Sequence, residues 1–220
     1  MADPLGDMTE SMHGAMSLDG DVEKLSSFYD GWAADYDADV ASHGYGLPDM
    51  MVRTVLAGAD RLGTAPATVR AARLLDAGCG TGLVGDALHH DGFEDLHGID
   101  LSAEMVEVAR GRDIYRTLEA GIDLTKPLPE HLRQAAEIVT VGGVFTIGHV
   151  GPDALAICAG LVRQDGMLVV SVRQAYLAET DFAATVAALE STKRLIPLVH
   201  AQDAPYTMDS TGDYWAWRVS

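Results

Sequence analysis

The glycine-rich segment at residues 74–88 carries the clearest chemical information in this sequence. It is LLDAGCGTGLVGDAL, in which Asp76 ends an apolar run and Gly78, Gly80 and Gly82 alternate into a helix start. Glycine lets a backbone turn tightly without placing a Cβ in the way of a ligand. A bound molecule is therefore expected to approach the backbone of this turn closely.

Asp100 ends the next apolar run, about 20 residues after the turn, where a carboxylate can accept both ribose hydroxyls of a nucleoside. The same turn also satisfies the dinucleotide fingerprint, because Gly80, Gly82 and Gly85 have the spacing G-x-G-x-x-G. Asp76, however, would repel a pyrophosphate held in the turn. A cationic ligand such as S-adenosylmethionine, which has an ammonium, a sulfonium and no phosphate, fits this acidic turn better.

Strands and helices must bring these residues together. From residue 67 onward, short apolar runs alternate with helical stretches, which predicts βαβ units around a parallel sheet and hence an α/β fold. Before that point the spacing predicts one helix over 22–40 and a second starting at Pro48 and closed by Gly63 and Pro66. The predicted strands are 73–77, 95–100, 115–120, 137–142, 167–172, 195–201 and 214–219, the last two forming an antiparallel edge hairpin.

The organisation along the chain has three parts. Residues 1–24 carry scattered charge and glycine without a sustained period, which predicts a mobile N-terminal tail. Residues 25–66 form a helical N-terminal segment, and residues 67–220 form the core.

Composition excludes several classes of function. The chain has 33 acidic and 15 basic residues and a formal net charge of −18, so it is not expected to bind nucleic acid or an anionic membrane. It has neither a signal-peptide pattern nor an apolar run long enough to span a membrane. The two cysteines have no metal-ligand spacing, so we expect no metal site and a reducing, cytoplasmic location. The expected partner is a small-molecule substrate, bound by a monomer or homodimer.

Two motifs carry a family resemblance. DAGCGTG (76–82) with HGIDLSAEMVEVAR (97–110) resembles the class I S-adenosylmethionine-dependent methyltransferases, over residues 25–220. YDGWAADYDADVASHGY (29–45) and VGGVFTIGHVGPDAL (141–155) are most similar to the small methyltransferase-like proteins named for the Williams–Beuren syndrome region. The resemblance implies a three-layer Rossmann-like sheet of order 3-2-1-4-5-7-6 with strand seven antiparallel. It also implies that residues 25–66 form a lid, and that S-adenosylmethionine lies across the carboxyl ends of strands one to four.

The resemblance also implies where the cofactor is held. The glycines of the turn match the cofactor loop, Asp100 matches the ribose acid, and Leu101 flanks the adenine. The backbone after strand four faces the methionine amine. With Asp76 added from the charge argument above, the expected cofactor contacts are Tyr36, Asp76, Gly78, Cys79, Gly80, Gly82, Asp100, Leu101, Met105, Asp123, Leu124, Val141 and Gly142.

Methyl transfer is an in-line displacement at an activated carbon, so alignment supplies much of the rate and a general base is needed only for a protonated acceptor. His149 follows strand four and titrates near neutrality, which makes it the candidate base. Tyr36 matches the tyrosine of the family's WAxxYD element and is expected to face the cofactor and align it. The expected substrate contacts are Tyr29, Trp32, Tyr45, Phe145 and His149.

The sequence thus predicts a methyltransferase that acts on an O, N or S atom of a small molecule and forms S-adenosylhomocysteine. No Asn/Asp-Pro-Pro-Tyr/Phe segment follows strand four, which argues against methylation of an amino group on a nucleobase. Two alternatives stay open. One is a member of the fold that binds the cofactor without methyl transfer, as a partner subunit or pericyclic catalyst, and the other is an NAD(P)-dependent oxidoreductase.

Overall fold

A computed structural model describes residues 21–220. Seven strands form one sheet of order β3-β2-β1-β4-β5-β7-β6, in which β7 is antiparallel to both of its neighbours and the other pairs are parallel. The expected strand order is confirmed. The strands are β1 (Leu74–Ala77), β2 (Leu96–Asp100), β3 (Thr117–Ala120), β4 (Ala136–Phe145), β5 (Val162–Arg173), β6 (Leu195–Pro205) and β7 (Thr211–Val219).

Helices cover both faces of the sheet, which gives the expected three layers. Ser102 caps the helix that begins at Ala103, because its Oγ accepts a hydrogen bond from the Met105 N–H at 3.1 Å. The described helices are α1 (Val22–Trp32), α2 (Tyr36–Ser42), α3 (Leu47–Arg61), α4 (Pro66–Arg70), α5 (Leu83–His90), α6 (Ala103–Arg110), α7 (Ala154–Leu161), α8 (Gln174–Glu179) and α9 (Phe182–Ser191), with a 3-10 turn at Glu130–Leu132.

The N-terminal helix differs from the prediction. The segment 22–40 is two helices, α1 and α2, because the chain turns after Trp32. In that turn the Asp35 N–H donates to the Trp32 carbonyl at 3.0 Å, and the indole Nε1–H of Trp32 donates to Asp39 Oδ2 at 2.7 Å. Of the predicted tail 1–24, residues 1–20 lie outside the described residues and 22–24 belong to α1.

Two apolar clusters lie on opposite faces of the sheet. On one face α3 and α5 pack through residues such as Met51 and Leu88, and on the other α7 and α9 pack through Leu155 and Phe182. No residue of α1 or α2 belongs to either cluster in the part of the chain that the structure describes. The sheet with its flanking helices is therefore one packed body, and the first two helices rest on it.

Between residues 21 and 220, no helix combines the length and the apolar character that crossing a bilayer requires.

Candidate active site

A cavity opens at the carboxyl ends of β1, β2 and β4, beneath α1 and α2. Its empty volume is about 810 Å³, which includes space open to solvent. We call α1 and α2 the roof, and the glycine loop 78–82 together with Asp100 the floor. Small-molecule sites in such sheets lie at this edge, so the position alone marks the cavity as the candidate site.

The glycine loop needs glycine for two different reasons. Gly78, Gly80 and Gly82 have φ values of +72°, +53° and +90°, in the left-handed region that L side chains rarely adopt. A Cβ on Gly78 would lie 2.3 Å from Val144 Cγ2, whereas a Cβ on Gly80 would meet no protein atom within 4 Å. Gly80 also lines the cavity, so its missing side chain leaves space for a ligand.

Asp100 is held by the backbone. Its Oδ2 accepts the Gly80 N–H at 2.7 Å, and its Oδ1 accepts the Ser102 N–H at 2.9 Å. Burial raises the pKa of this carboxyl, and the hydrogen bonds from the backbone offset part of the rise. The carboxylate therefore lies on the cavity wall in a fixed orientation, ready to accept hydroxyl donors.

Asp76 lies behind the floor rather than on the cavity wall. Its side chain is only 1% exposed and accepts hydrogen bonds from the Tyr115 hydroxyl at 2.8 Å and the Thr140 hydroxyl at 3.0 Å. Burial raises its pKa to about 6. Asp76 is therefore a buried acid whose hydrogen bond to Thr140 links β1 to β4, and it does not line the cavity.

The segment after β3 forms another wall of the cavity. Asp123 and Leu124 line it together with Leu101 and Met105, which brings these four predicted contacts to one side. Asp123 Oδ1 accepts hydrogen bonds from the Thr125 N–H at 2.8 Å and the Thr125 hydroxyl at 2.6 Å. Apolar side chains with one fixed carboxylate suit a flat heterocycle that has donor groups on its edge.

The roof contributes Tyr29 and Tyr36 to the cavity, and the loop after β4 contributes His149. Tyr29 Oη and His149 Nε2 are 2.6 Å apart, while His149 Nδ1 is 3.1 Å from the Ile147 carbonyl. A carbonyl can only accept, so Nδ1 carries the ring proton and Nε2 accepts from Tyr29. Burial lowers the pKa of His149 to about 4, so the ring is neutral at pH 7.

Several predicted contacts lie outside the cavity wall. Phe145 is placed elsewhere because β4 runs on past residue 142 and its ring turns into the core, edge-on to Phe182. Trp32 packs on the outer side of the roof, and Tyr45 lies behind the wall, with its hydroxyl 3.2 Å from the place that a Cβ on Gly143 would take. The predicted residues absent from the wall are Asp76, Cys79, Gly82, Val141, Trp32, Tyr45 and Phe145.

The contacts that hold the roof to the floor were not predicted. The Thr81 hydroxyl donates to Asp37 Oδ1 at 2.5 Å, and Arg112 joins the same site by pairing with Asp37 and donating from Nε to the Thr81 carbonyl at 2.6 Å. We call Asp37, Thr81 and Arg112 the roof latch. A second contact runs from the Ser102 hydroxyl to Asp30 Oδ1 at 2.6 Å. These partners are 31 to 75 residues apart in sequence, so no local pattern could reveal them.

Comparison with known proteins agrees with this geometry. Residues 74–166 match the family model described as a methyltransferase domain. The ubiquinone biosynthesis O-methyltransferase of Xylella fastidiosa is 31% identical over 187 residues, which covers 80% of this chain and 68% of that protein. The chain belongs to the S-adenosylmethionine-dependent methyltransferases. Its cofactor is S-adenosylmethionine.

Other relatives of this methyltransferase differ in length. Human methyltransferase-like protein 27 is 36% identical over 136 residues, which is 61% of this chain and 52% of that protein. The chain spans about half the length of the curated relatives that it matches first. A TehB-like methyltransferase structure from Corynebacterium glutamicum has the same fold, with a TM-score of 0.59, 21% identity and coverage of 88% of this chain and 99% of that one.

The residues around the cavity fit the family's cofactor. Asp100 supplies an acceptor for ribose hydroxyls, and the open space beside Gly80 is where a Cβ would collide with a ligand rather than with protein. Leu101 and Met105 give this side of the cavity an apolar surface of the kind that an adenine would need, and Asp123 lines the same side. Among the residues that the structure describes, no lysine or arginine side chain lines the wall, and His149 there is neutral at pH 7.

Proposed function

We propose that this chain transfers a methyl group from S-adenosylmethionine to a small-molecule acceptor and forms S-adenosylhomocysteine. One observation carries the proposal: the same cavity has the floor, with Asp100, on one side and the Tyr29–His149 pair on the other. A floor alone would support only binding of a nucleoside. The pair adds a hydrogen-bonding group where an acceptor can meet the cofactor.

When bound, the cofactor supplies a methyl group on a positively charged sulfur. Asp100 and the glycine loop orient its nucleoside, and Tyr36 packs over it from the roof. The roof excludes water from the reacting atoms, so the rate depends mainly on alignment. These roles need no metal, and no cluster of His, Cys, Asp and Glu suited to a metal ion exists in residues 21–220.

The Tyr29–His149 pair handles the proton of a protonated acceptor. Because His149 Nε2 accepts from Tyr29, a proton leaving the acceptor moves to Tyr29 Oη while the Tyr29 proton moves to His149 Nε2. The pKa of about 4 makes this histidine a weak base, which favours acceptors whose proton is easily lost. The name of the Xylella relative, an O-methyltransferase, supports oxygen as the acceptor atom.

The proposal also covers the cellular compartment and the class of acceptor. Cys79 and Cys158 are both free and buried, and burial raises the pKa of Cys158 to about 12, which keeps it an unreactive thiol. Buried free thiols favour a reducing compartment such as the cytoplasm. The net charge of −18 favours a small molecule over a nucleic acid as acceptor.

Calorimetric titration with S-adenosylmethionine, S-adenosylhomocysteine and NAD tests the cofactor side. We expect micromolar binding of the first two, roughly −8 kcal/mol, and much weaker binding of NAD. Incubation with S-adenosylmethionine and a metabolite extract, read by mass spectrometry, tests the transfer side. Tight binding without any S-adenosylhomocysteine formed would favour a cofactor-binding protein without methyl transfer, and tighter binding of NAD would contradict the proposal.

A further inference from the structure

Arg173 is a half-buried cation that has no acidic partner among the residues that the structure describes. It ends β5 at the carboxyl edge of the sheet, on the same side as the cavity. The other half-buried arginines, Arg70, Arg112 and Arg218, each pair with a carboxylate, whereas no ion pair involves Arg173 among residues 21–220. The chain has more than twice as many acidic as basic residues, yet none of the acidic residues that the structure describes pairs with this cation.

The partners that Arg173 does have are neutral. Its guanidinium carbon lies 5.4 Å from the centre of the Tyr206 ring, and its Nη2 is 3.5 Å from Ser210 Oγ. A cation over an aromatic face is attracted by the ring, but its charge is not neutralised. The guanidinium therefore keeps donors and a full positive charge for another group.

The charge lies close to the acceptor end of the cavity. The Tyr206 hydroxyl is 3.7 Å from the place that a Cβ on Gly143 would take, and Gly143 lines the cavity. Beyond the dominant effect of burial, the charge of Arg173 lowers the pKa of Tyr29, Tyr206 and His149. Arg173 is thus within electrostatic reach of both members of the pair that faces the acceptor.

The surroundings of Arg173 set the shape of the molecule that would meet it. Tyr45 and Tyr206 pack edge to face, with ring centres 6.0 Å apart, and their hydroxyls lie 3.2 and 3.7 Å from the place that a Cβ on Gly143 would take. Tyr206 is buried and neither ring lines the cavity, so both rings lie just behind its wall at Gly143. The guanidinium lies over the Tyr206 ring, so a substrate that extends past Gly143 would approach a planar fork of donors, which matches a carboxylate.

We propose that Arg173 binds a carboxylate on the methyl acceptor, so that the substrates are small molecules with an acidic group on an apolar body. This inference rests on the proposed methyl transfer. It makes Arg173 a residue that determines specificity, because the acid would be held by the guanidinium while a second atom reacts. A neutral analogue of the same shape leaves the charge without a partner, so it binds more weakly.

The test uses binding to the full chain saturated with S-adenosylhomocysteine. Matched acids and carboxamides are titrated by calorimetry: benzoate and benzamide, phenylacetate and phenylacetamide, hexanoate and hexanamide. We expect at least one acid to bind roughly 10- to 100-fold more tightly than its amide, as hydrogen bonds to charged groups usually give. Absence of any preference for the acid in all three pairs overturns the proposal without the use of a variant.

Variants then assign the preference to one side chain. Arg173→Gln should abolish the preference for the acid, and Arg173→Lys should keep part of it, because the charge remains but the planar fork is lost. The matched control is Arg194→Gln, which removes the same charge from an exposed arginine that donates only to the Ser220 carbonyl. A preference that persists in a folded Arg173→Gln protein contradicts the assignment. Failure to bind S-adenosylhomocysteine in the first step would instead count against the proposed function.

Discussion

The floor and the roof of the cavity are held in place by different kinds of contact. On the floor the Gly78 and Cys79 N–H groups donate to the Ile99 carbonyl at 2.8 and 3.0 Å, and two further N–H groups hold Asp100. The roof is joined to the rest by side chains, through the latch, through Asp30 and through the Tyr29–His149 pair. The floor is therefore built into the sheet, whereas the roof can separate from it by breaking a few polar contacts.

This difference assigns cofactor binding to the floor and the opening and closing of the site to the roof. A floor fixed by backbone hydrogen bonds presents the same surface before and after a ligand arrives, which favours cofactor affinity. A roof held by side-chain contacts can open for exchange and close for reaction, as lids of many enzymes do. Substitutions in the floor should accordingly change the affinity for the cofactor without changing how often the roof opens. Substitutions in the roof should instead change how well the roof closes over the site.

The largest effect is expected from Gly80→Ala. The new Cβ would occupy the space beside the loop and the left-handed φ would be strained, which together weaken binding of S-adenosylmethionine by about 3 kcal/mol, roughly 150-fold. Gly63→Ala is the matched control, because Gly63 also has a positive φ, +67°, and open space around it but does not line the cavity. Calorimetry should show normal affinity for the control; equal losses in both variants would mean that backbone strain, not a lost ligand space, is responsible.

The pair at the roof is expected to give the next largest effect. His149→Ala should lower kcat about 100-fold for a protonated acceptor and leave cofactor affinity nearly intact. Tyr29→Phe keeps the ring but removes the hydroxyl that bonds His149, so it should reproduce most of that loss. Loss of cofactor binding in a folded His149→Ala protein would contradict this role, because the histidine would then help to bind the cofactor.

The pH profile follows from the same histidine. Since the folded pKa is about 4, the ring stays neutral down to about pH 5, and kcat should not fall because of this group between pH 8 and 5. The unfolded pKa is near 6.5, so the contribution of His149 to stability is complete above that value and is lost as the pH falls toward 4. An acidic limb of kcat centred near pH 6.5 in the wild-type protein, absent from His149→Ala, would contradict the buried neutral state.

Asp100→Asn should weaken the cofactor by about 2 kcal/mol, roughly 30-fold, because a charged acceptor of hydrogen bonds becomes a neutral one. Asp95→Asn makes the same change in charge just before the opposite end of β2, where Asp95 pairs with Arg116 and lies outside the cavity. Its affinity should stay within about twofold of the wild type. If the two variants bound the cofactor equally well, the ribose would have to lie elsewhere.

The smallest effect is expected from the roof latch. Asp37→Asn removes an ion pair whose carboxylate is 41% exposed, so the change should be about 1 kcal/mol, roughly a fivefold faster release of the cofactor measured by stopped flow. Asp35→Asn, in the turn before α2 and without a cap hydrogen bond, is the control. An unchanged release rate in Asp37→Asn would mean that the roof closes without its latch.

The sequence predicted the floor better than the roof, and the reason is physical. A left-handed turn requires glycine and a strand end requires an apolar run, so Gly78, Gly80 and Asp100 stand out in a local pattern. Strand order was implied by the family resemblance and confirmed. Helical spacing across 22–40 predicted one helix, because periodicity cannot show that Trp32 turns back to Asp39.

Side-chain direction was the harder part of the site. Phe145 was expected at the substrate because it follows β4 closely in sequence, yet β4 continues through it and a bulge against β5 shifts the register between Val141 and Phe145. One added residue in a strand exchanges its two faces, so the assignment of a ring to cavity or core depends on a detail that composition does not contain. The contacts of Arg173 and Asp37 depend likewise on three-dimensional proximity alone.

The separation of the roof from both apolar clusters has a consequence for local unfolding. A segment that shares no buried cluster with the sheet can unfold locally at a lower free energy than the whole domain. Amide hydrogens in α1 and α2 would then exchange with solvent through these partial openings, while those of β4 and β5 would exchange only when the entire chain unfolds. Ligand-induced protection confined to residues 22–42 would make this region a built-in reporter of site occupancy, readable in the absence of any known acceptor.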